Sequence, residues 1–414
     1  MFTPRSRPVL SVAAAVTSAA ALTGILSGCG GTSPASGATS ASPAVTAPPG
    51  ASSASPGAAS ASAARPAASS CADRAFSGLT EAQRVGQLFL VGMAADRAGP
   101  ATAAAERRYH FGSVLFAGNT YASSRTIAAT TSYVQSLATA SATGGVRFFV
   151  AANQEGGQVR NLKGFPAMPA ALTQGSWSVS QLRQRAAAWG RALKSAGVNL
   201  DLAPVMDVVP AGTAAGNAPI GQLGREFGST AAGNGAHGAA FIRGMASVGV
   251  ATAAKHFPGL GRVTGNTDFT AHVVDSVTAP GDPDLATYAS AAAARVPFMM
   301  VALATYTKID ASRLAVFSPA VMRLLRSSTG FGGVIVSDDL GDAAAVASVP
   351  AGQRAVRFLS AGGDMITSQS LRPAEEMASA VLSQASADPA FRATVDSAVK
   401  KILAAKQSYG LLPC

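Results

Sequence analysis

Between residues 298 and 367 the chain reads Phe298-Met299-Met300-Val301-Ala302-Leu303-Ala304, a helical stretch at 319–326, Val334-Ile335-Val336-Ser337-Asp338, a second helical stretch at 355–361, and then Asp364-Met365-Ile366-Thr367. The three β-rich runs are almost continuously apolar and do not alternate. A strand of that kind is covered on both faces, as happens in parallel sheets whose crossovers are helices. Upstream, five more β-rich runs appear, at 87–92, 113–117, 148–153, 199–205 and 251–257. Helical stretches accompany them at 124–139, 180–195, 231–247 and 286–294, and residues 373–409 read as two helices broken near Asp388-Pro389. Eight strand–helix repeats predict an α/β protein closed into a TIM-like (β/α)8 barrel, with an open doubly wound sheet as the alternative.

The N-terminal part cannot belong to that barrel. Residues 1–70 contain no Asp or Glu and almost no large apolar side chain after Leu26, too little to offset the entropy of ordering them. Folding is left to 71–414, which is ample for a single barrel domain. Arg5 and Arg7 precede an Ala-rich apolar stretch from Val9 to Leu26, and Leu26-Ser27-Gly28-Cys29 closes it. This resembles a bacterial lipoprotein signal, implying a signal peptide at 1–28, cleavage before Cys29 and lipid on its thiol. An ordinary signal peptide with an incidental cysteine is the alternative. Between 30 and 70 only Val45 and Arg65 fall outside Gly, Ala, Ser, Thr and Pro. Residues 29–70 are therefore expected to be a disordered tether, spanning roughly 35 Å end to end as a flexible coil. The chain is then expected to be exported and held at the cell membrane through Cys29, facing the wall. An oxidising compartment makes a Cys71–Cys414 disulfide the default, two free thiols being the other reading.

The formal net charge is +11, of which Arg5, Arg7 and Arg65 supply three, leaving +8 for 71–414. That balance suits an anionic envelope of phosphate-bearing polymers or lipid heads. Nucleic acid is not expected as a partner, because no Lys/Arg cluster with interleaved aromatics appears. A monomer is expected.

Chemistry in a parallel barrel sits at the C-terminal ends of its strands. Four such ends carry polar clusters: Asn153-Gln154-Glu155-Gly156-Gly157, Asp207 after Leu202-Ala203-Pro204, Lys255-His256, and Ser337-Asp338-Asp339. One cluster could be a helix cap. Four at one end of a sheet, where an unpaired buried charge is costly, indicate a site. No His/Cys/Asp grouping has metal-ligand spacing, so neither metal nor cofactor is expected.

Six motifs run through the domain in order: Val85-Gly86-Gln87-Leu88-Phe89, Gln154-Glu155-Gly156-Gly157, Leu202-Ala203-Pro204-Val205-Met206-Asp207, Gly224-Arg225-Glu226-Phe227-Gly228, Lys255-His256-Phe257-Pro258-Gly259-Leu260-Gly261 and Gly333-Val334-Ile335-Val336-Ser337-Asp338-Asp339-Leu340. With them, residues 79–412 resemble family 3 glycoside hydrolases of the single-domain β-N-acetylhexosaminidase type. The resemblance implies a retaining glycosidase that removes terminal β-linked N-acetylglucosamine or a related hexose from cell-wall saccharides, in the manner of peptidoglycan turnover. Asp338 would be the nucleophile, with Asn153, Arg225, Lys255 and His256 on sugar hydroxyls and Asp339 structural. His110 and His237 are read as ordinary residues.

The sequence also departs from the family. Where its hexosaminidases carry Asp-Ser-His after the Lys-His motif, an ungapped count gives Asn266-Thr267-Asp268. Asp268 is therefore the preferred acid/base, and His272, four residues on, is the second candidate. Asn153 stands for a usual Asp, Asn161 for an Arg, and Leu260 and Leu303 for histidines. These changes keep open a sugar-binding lipoprotein of weakened activity, a β-glucosidase, or a glycoside phosphorylase.

Overall fold

The computed structural model describes residues 70–414. The expected signal peptide, the expected lipidation at Cys29 and the expected tether lie outside the described residues. Eight strands make a closed parallel barrel: β1 Phe89–Ala94, β2 Ser113–Ala117, β3 Phe149–Ala152, β4 Leu200–Asp201, β5 Ala251–Phe257, β6 Phe298–Val301, β7 Val334–Asp339 and β8 Met365–Ser368. Each pairs in parallel with its sequence neighbours, and β1 pairs with β8 to close the ring. This is a TIM-like (β/α)8 barrel; the open-sheet alternative falls.

Side-chain alternation explains why the strands read as unbroken apolar runs. Along β3, Phe149 and Ala151 pack with Leu115, Leu200 and Phe298 inside the ring. Val150 and Ala152 pack outward with Ile127 and Val134 of helix Ser124–Ser136 and with Leu182 and Trp189 of helix Val179–Ser195. Both faces are buried, so both must be apolar.

The differences from the predicted elements have local causes. Residue Gln87 ends helix Glu81–Gln87 instead of opening β1, because Lys406 Nζ donates to its Oε1 at 2.7 Å beneath the barrel. Strand β4 is only two residues, since Pro204 has no N–H to extend the ladder. The predicted break near Asp388 separates helices Leu371–Ala387 and Pro389–Ser408, with the Asp388 carboxylate accepting from Ala390 N and Phe391 N. At the N-terminal face Phe149 meets Phe298 edge-on with centroids 5.2 Å apart, and Tyr409 covers Phe149. The last helix thereby closes the floor, leaving chemistry to the opposite face. Cys71 and Cys414 are joined by a disulfide, Cα–Cα 6.0 Å, tying the first described helix to the chain's last residue.

Candidate active site

The C-terminal ends of the strands open on a cavity of about 230 Å³. Asn153 reaches it from just beyond β3, Lys255 and His256 from β5, and Asp338 from β7. Arg225 and Asp268 arrive on the loops that follow β4 and β5.

A buried ion cluster forms one wall. Glu155 sits on a short hairpin in which Gln154–Gly156 pairs with Val159–Arg160. The turn needs Gly156 at φ +111°, where a Cβ would also lie 2.1 Å from the Pro169 carbonyl. From this hairpin the Glu155 carboxylate accepts both Arg225 Nε at 2.7 Å and Nη2 at 2.8 Å, a bidentate fork, and Lys255 Nζ at 2.6 Å. Burial alone would raise the Glu155 pKa, but the two cations overcome it and hold it at about 2. One carboxylate thus fixes two cations at the cavity edge. Lys255 Nζ also donates to Asn153 Oδ1 at 2.9 Å. The neutral amide at 153 is therefore an acceptor already engaged by the protein.

The second wall is built on Asp207, which is fully buried. It accepts His256 N, Leu260 N and the Tyr288 hydroxyl on Oδ1, and His256 Nδ1 on Oδ2 at 2.8 Å. Burial opposes ionisation of Asp207, yet His256 and the backbone donors bring its pKa below the ordinary value. A carboxylate can only accept, so His256 Nδ1 carries the proton and Nε2 is the ring nitrogen left for a ligand. The sequence placed Glu155 and Asp207 in motifs and polar strand ends without giving either a role. The signal was there: a carboxylate at the end of an apolar strand needs a partner.

Asp338 and Asp339 diverge as β-strand alternation requires. Half-buried Asp338 faces the cavity, and among the described residues its Oδ1 accepts only its neighbour's backbone, Asp339 N, at 2.9 Å. Asp339 turns its carboxylate to Gly341 N, Asp342 N and Gln369 N, holding the loop beyond β7. Opposite lies the turn at 266–270. Asn266 Oδ1 accepts Asp268 N at 2.9 Å, and Asn266 O accepts Thr270 N at 2.8 Å. Ala344 N and Ala345 N, beyond β7, donate to Asp268 O and Thr267 O. Asp268 lies on the accessible lip. Crowding by protein and then the Asp338 carboxylate push its pKa up to about 6. Next to it Phe269 is 83% exposed, a large apolar ring standing in solvent at the mouth.

His272 is elsewhere. It has a left-handed backbone, φ +56°, and lines a separate cavity of about 690 Å³ on the far side of the same loop. Asn161 does not line the cavity; its Oδ1 accepts Asn153 N at 2.9 Å and steadies the hairpin. Leu260 lines the cavity as a buried apolar contact, whereas Leu303 is in the core. His110 Nδ1 meets the Ala142 carbonyl and His237 meets the Gly233 and Trp177 carbonyls, and neither histidine lines the cavity. Among the described residues no group of three or more His, Cys, Asp or Glu could hold a metal ion.

A parallel barrel whose mouth sets two carboxyl groups on a small polar cavity with fixed cations and an oriented imidazole has the equipment of a glycoside hydrolase. Residues 80–405 match the profile of the glycosyl hydrolase family 3 N-terminal domain. The chain belongs to glycosyl hydrolase family 3 and is a glycoside hydrolase. It is 32% identical over 313 residues to the beta-hexosaminidase LpqI of Mycobacterium tuberculosis, covering 72% of this chain and 75% of that protein. The crystal structure of a β-N-acetylhexosaminidase from Beutenbergia cavernae superimposes with a TM-score of 0.78 at 44% identity, covering 80% of this chain and 99% of that one. A family 3 β-N-acetylglucosaminidase from a Paenibacillus strain gives 0.71 at 26% identity, over 80% of this chain and 63% of that one.

Proposed function

We propose that the chain is a retaining β-N-acetylhexosaminidase that releases terminal β-linked N-acetylglucosamine from cell-envelope saccharides. The observation that carries this reading is the pair Asp338 and Asp268 on one cavity, the former without a side-chain partner among the described residues and the latter with its pKa pushed up to about 6. An Asp338 oxygen attacks the anomeric carbon while the bond to the leaving oxygen breaks, and the Asp268 proton passes to that oxygen. Water then attacks the glycosyl-enzyme, Asp268 takes its proton, and Asp338 leaves as a carboxylate. Two inversions give retention. Lys255, Arg225 and the Nε2 of His256 face the sugar hydroxyls, preset by Glu155 and Asp207.

The reading extends to location. Export and anchoring through lipid on Cys29 rest on the N-terminal sequence, and the Cys71–Cys414 disulfide supports an oxidising compartment. Barrel residues 71–414 would work as a monomer at the end of the 29–70 tether.

The test is hydrolysis of p-nitrophenyl N-acetyl-β-glucosaminide by the purified chain, followed with its anomeric product by NMR. Release of the β-anomer first, abolished in Asp338→Ala, is expected. Turnover that survives in Asp338→Ala, or an α-anomer released first, would reject the mechanism. Binding of wall fragments with no turnover would leave the sugar-binding alternative instead.

A further inference from the structure

The larger cavity beyond the acid/base loop is walled by the segments that follow β6 and β7, and the catalytic reading leaves it unused. Its floor is apolar, made by Leu314, Phe317 and Val349. Around that floor stand Arg313, Arg357 and His272, with the hydroxyls of Ser312, Ser348 and Ser360 between them, and no Asp or Glu lines it. Arg313 is ion-paired with Asp310 at 3.3 Å and is 57% exposed. Arg357 has no ion pair or side-chain hydrogen bond among the described residues. Arg313 already has Asp310, but Arg357 brings a positive charge that no carboxylate lining the cavity offsets, so a ligand that supplies an anion gains a partner there. The apolar floor and hydroxyl rim match the face and edge of a sugar ring. At about 690 Å³ the space is three times that of the catalytic cavity, enough for one or two hexose residues.

We propose that this cavity is a second saccharide site, selecting a hexose that carries a carboxylate or phosphate group, with Arg357 and Arg313 on the anion. It stands independently of which glycoside is cleaved at Asp338. The loop from Asn266 to His272 is the partition: Asp268 lies on the catalytic cavity, and His272 and Ala345 lie on this one.

Calorimetric titration of the purified full chain tests this with four probes: glucuronic acid, glucose 6-phosphate, glucose and inorganic phosphate. Binding of glucuronic acid identifies a carboxylate sugar and binding of glucose 6-phosphate a phosphate sugar; either supports the site. In Arg357→Gln and in Arg313→Gln the affinity should fall at least tenfold, as expected for losing a charge-assisted contact. Turnover of p-nitrophenyl N-acetyl-β-glucosaminide without added probe should stay within twofold in both variants, showing that they fold. The proposal would be overturned by glucose binding as tightly as the acidic sugars, by phosphate binding as tightly as glucose 6-phosphate, or by acidic-sugar binding unchanged in the double variant. Binding lost in Asp338→Ala but kept in the arginine variants would assign the ligand to the catalytic cavity and equally overturn it.

Discussion

If Asp268 is the acid, the substitution Asp268→Asn should erase a pH dependence that wild type shows only on demanding substrates. A carboxyl titrating at its ordinary 3.8 would be protonated in only about 0.06% of molecules at pH 7, whereas at about 6 the fraction is about 9%. Crowding by protein and the Asp338 charge thus keep more of the acid form present at neutrality. Because the proton must be present, kcat/KM should fall as pH rises through about 6, tenfold per unit beyond it. The assay compares p-nitrophenyl with methyl N-acetyl-β-glucosaminide across pH 4–9. Loss of acid assistance should cost the methyl glycoside about 10²–10⁴-fold and the activated phenyl glycoside far less, since a nitrophenolate leaves without a proton. Azide should partly rescue Asp268→Ala by attacking the glycosyl-enzyme without a base. His272→Ala should leave the profile in place. A falling limb that persists in Asp268→Asn but disappears in His272→Ala would refute the assignment, and would mean the loop rearranges to bring the histidine across.

Other substitutions probe the supports. Asp338→Asn should lower kcat by at least about 10³-fold with little change in melting temperature, measured by single-turnover kinetics and calorimetry. Glu155→Gln strands two cations beside the cavity, one of them only 3% exposed, and should cost about 3–5 kcal/mol in urea unfolding as well as raising KM. Asp207→Asn removes the anion that fixes His256 Nδ1–H, so KM for the N-acetylglucosaminide should rise while Asp207→Glu recovers part of the loss. Cys71→Ser should lower unfolding free energy by about 2–5 kcal/mol, and a reductant should reproduce that shift in wild type but not in the variant.

The candidate site was legible to the extent that single residues announce themselves. Asp338 follows the apolar run Val334–Val336 and Ser337 near the C-terminal end of its strand, and a charge there has to face the open end of a barrel. Asp388 before Pro389 marks a helix start that one side chain can cap, and it does. The clamp is another matter. Glu155 meets Arg225 across 70 positions, and Lys255 meets Asn153 across 102, so no local pattern records those pairings. Asn161 shows the same limit, because its use as a backbone acceptor for the hairpin depends on a turn that only the folded loop makes.

What the sequence determined by itself is periodic and local: eight doubly buried strands, helical connectors and the end of the sheet that carries polar groups. Hydrophobic burial and backbone sterics act on neighbours in the chain, so their pattern survives in one dimension. Only the tertiary structure decided between Asp268 and His272 as neighbours of Asp338. They are four residues apart, yet the turn held by Asn266 Oδ1, with Ala344 and Ala345 donating to the loop, puts one on the catalytic cavity and the other behind it. Coulombic and desolvation effects fall on whatever groups space brings together, and in this barrel the closing of the ring chose those groups.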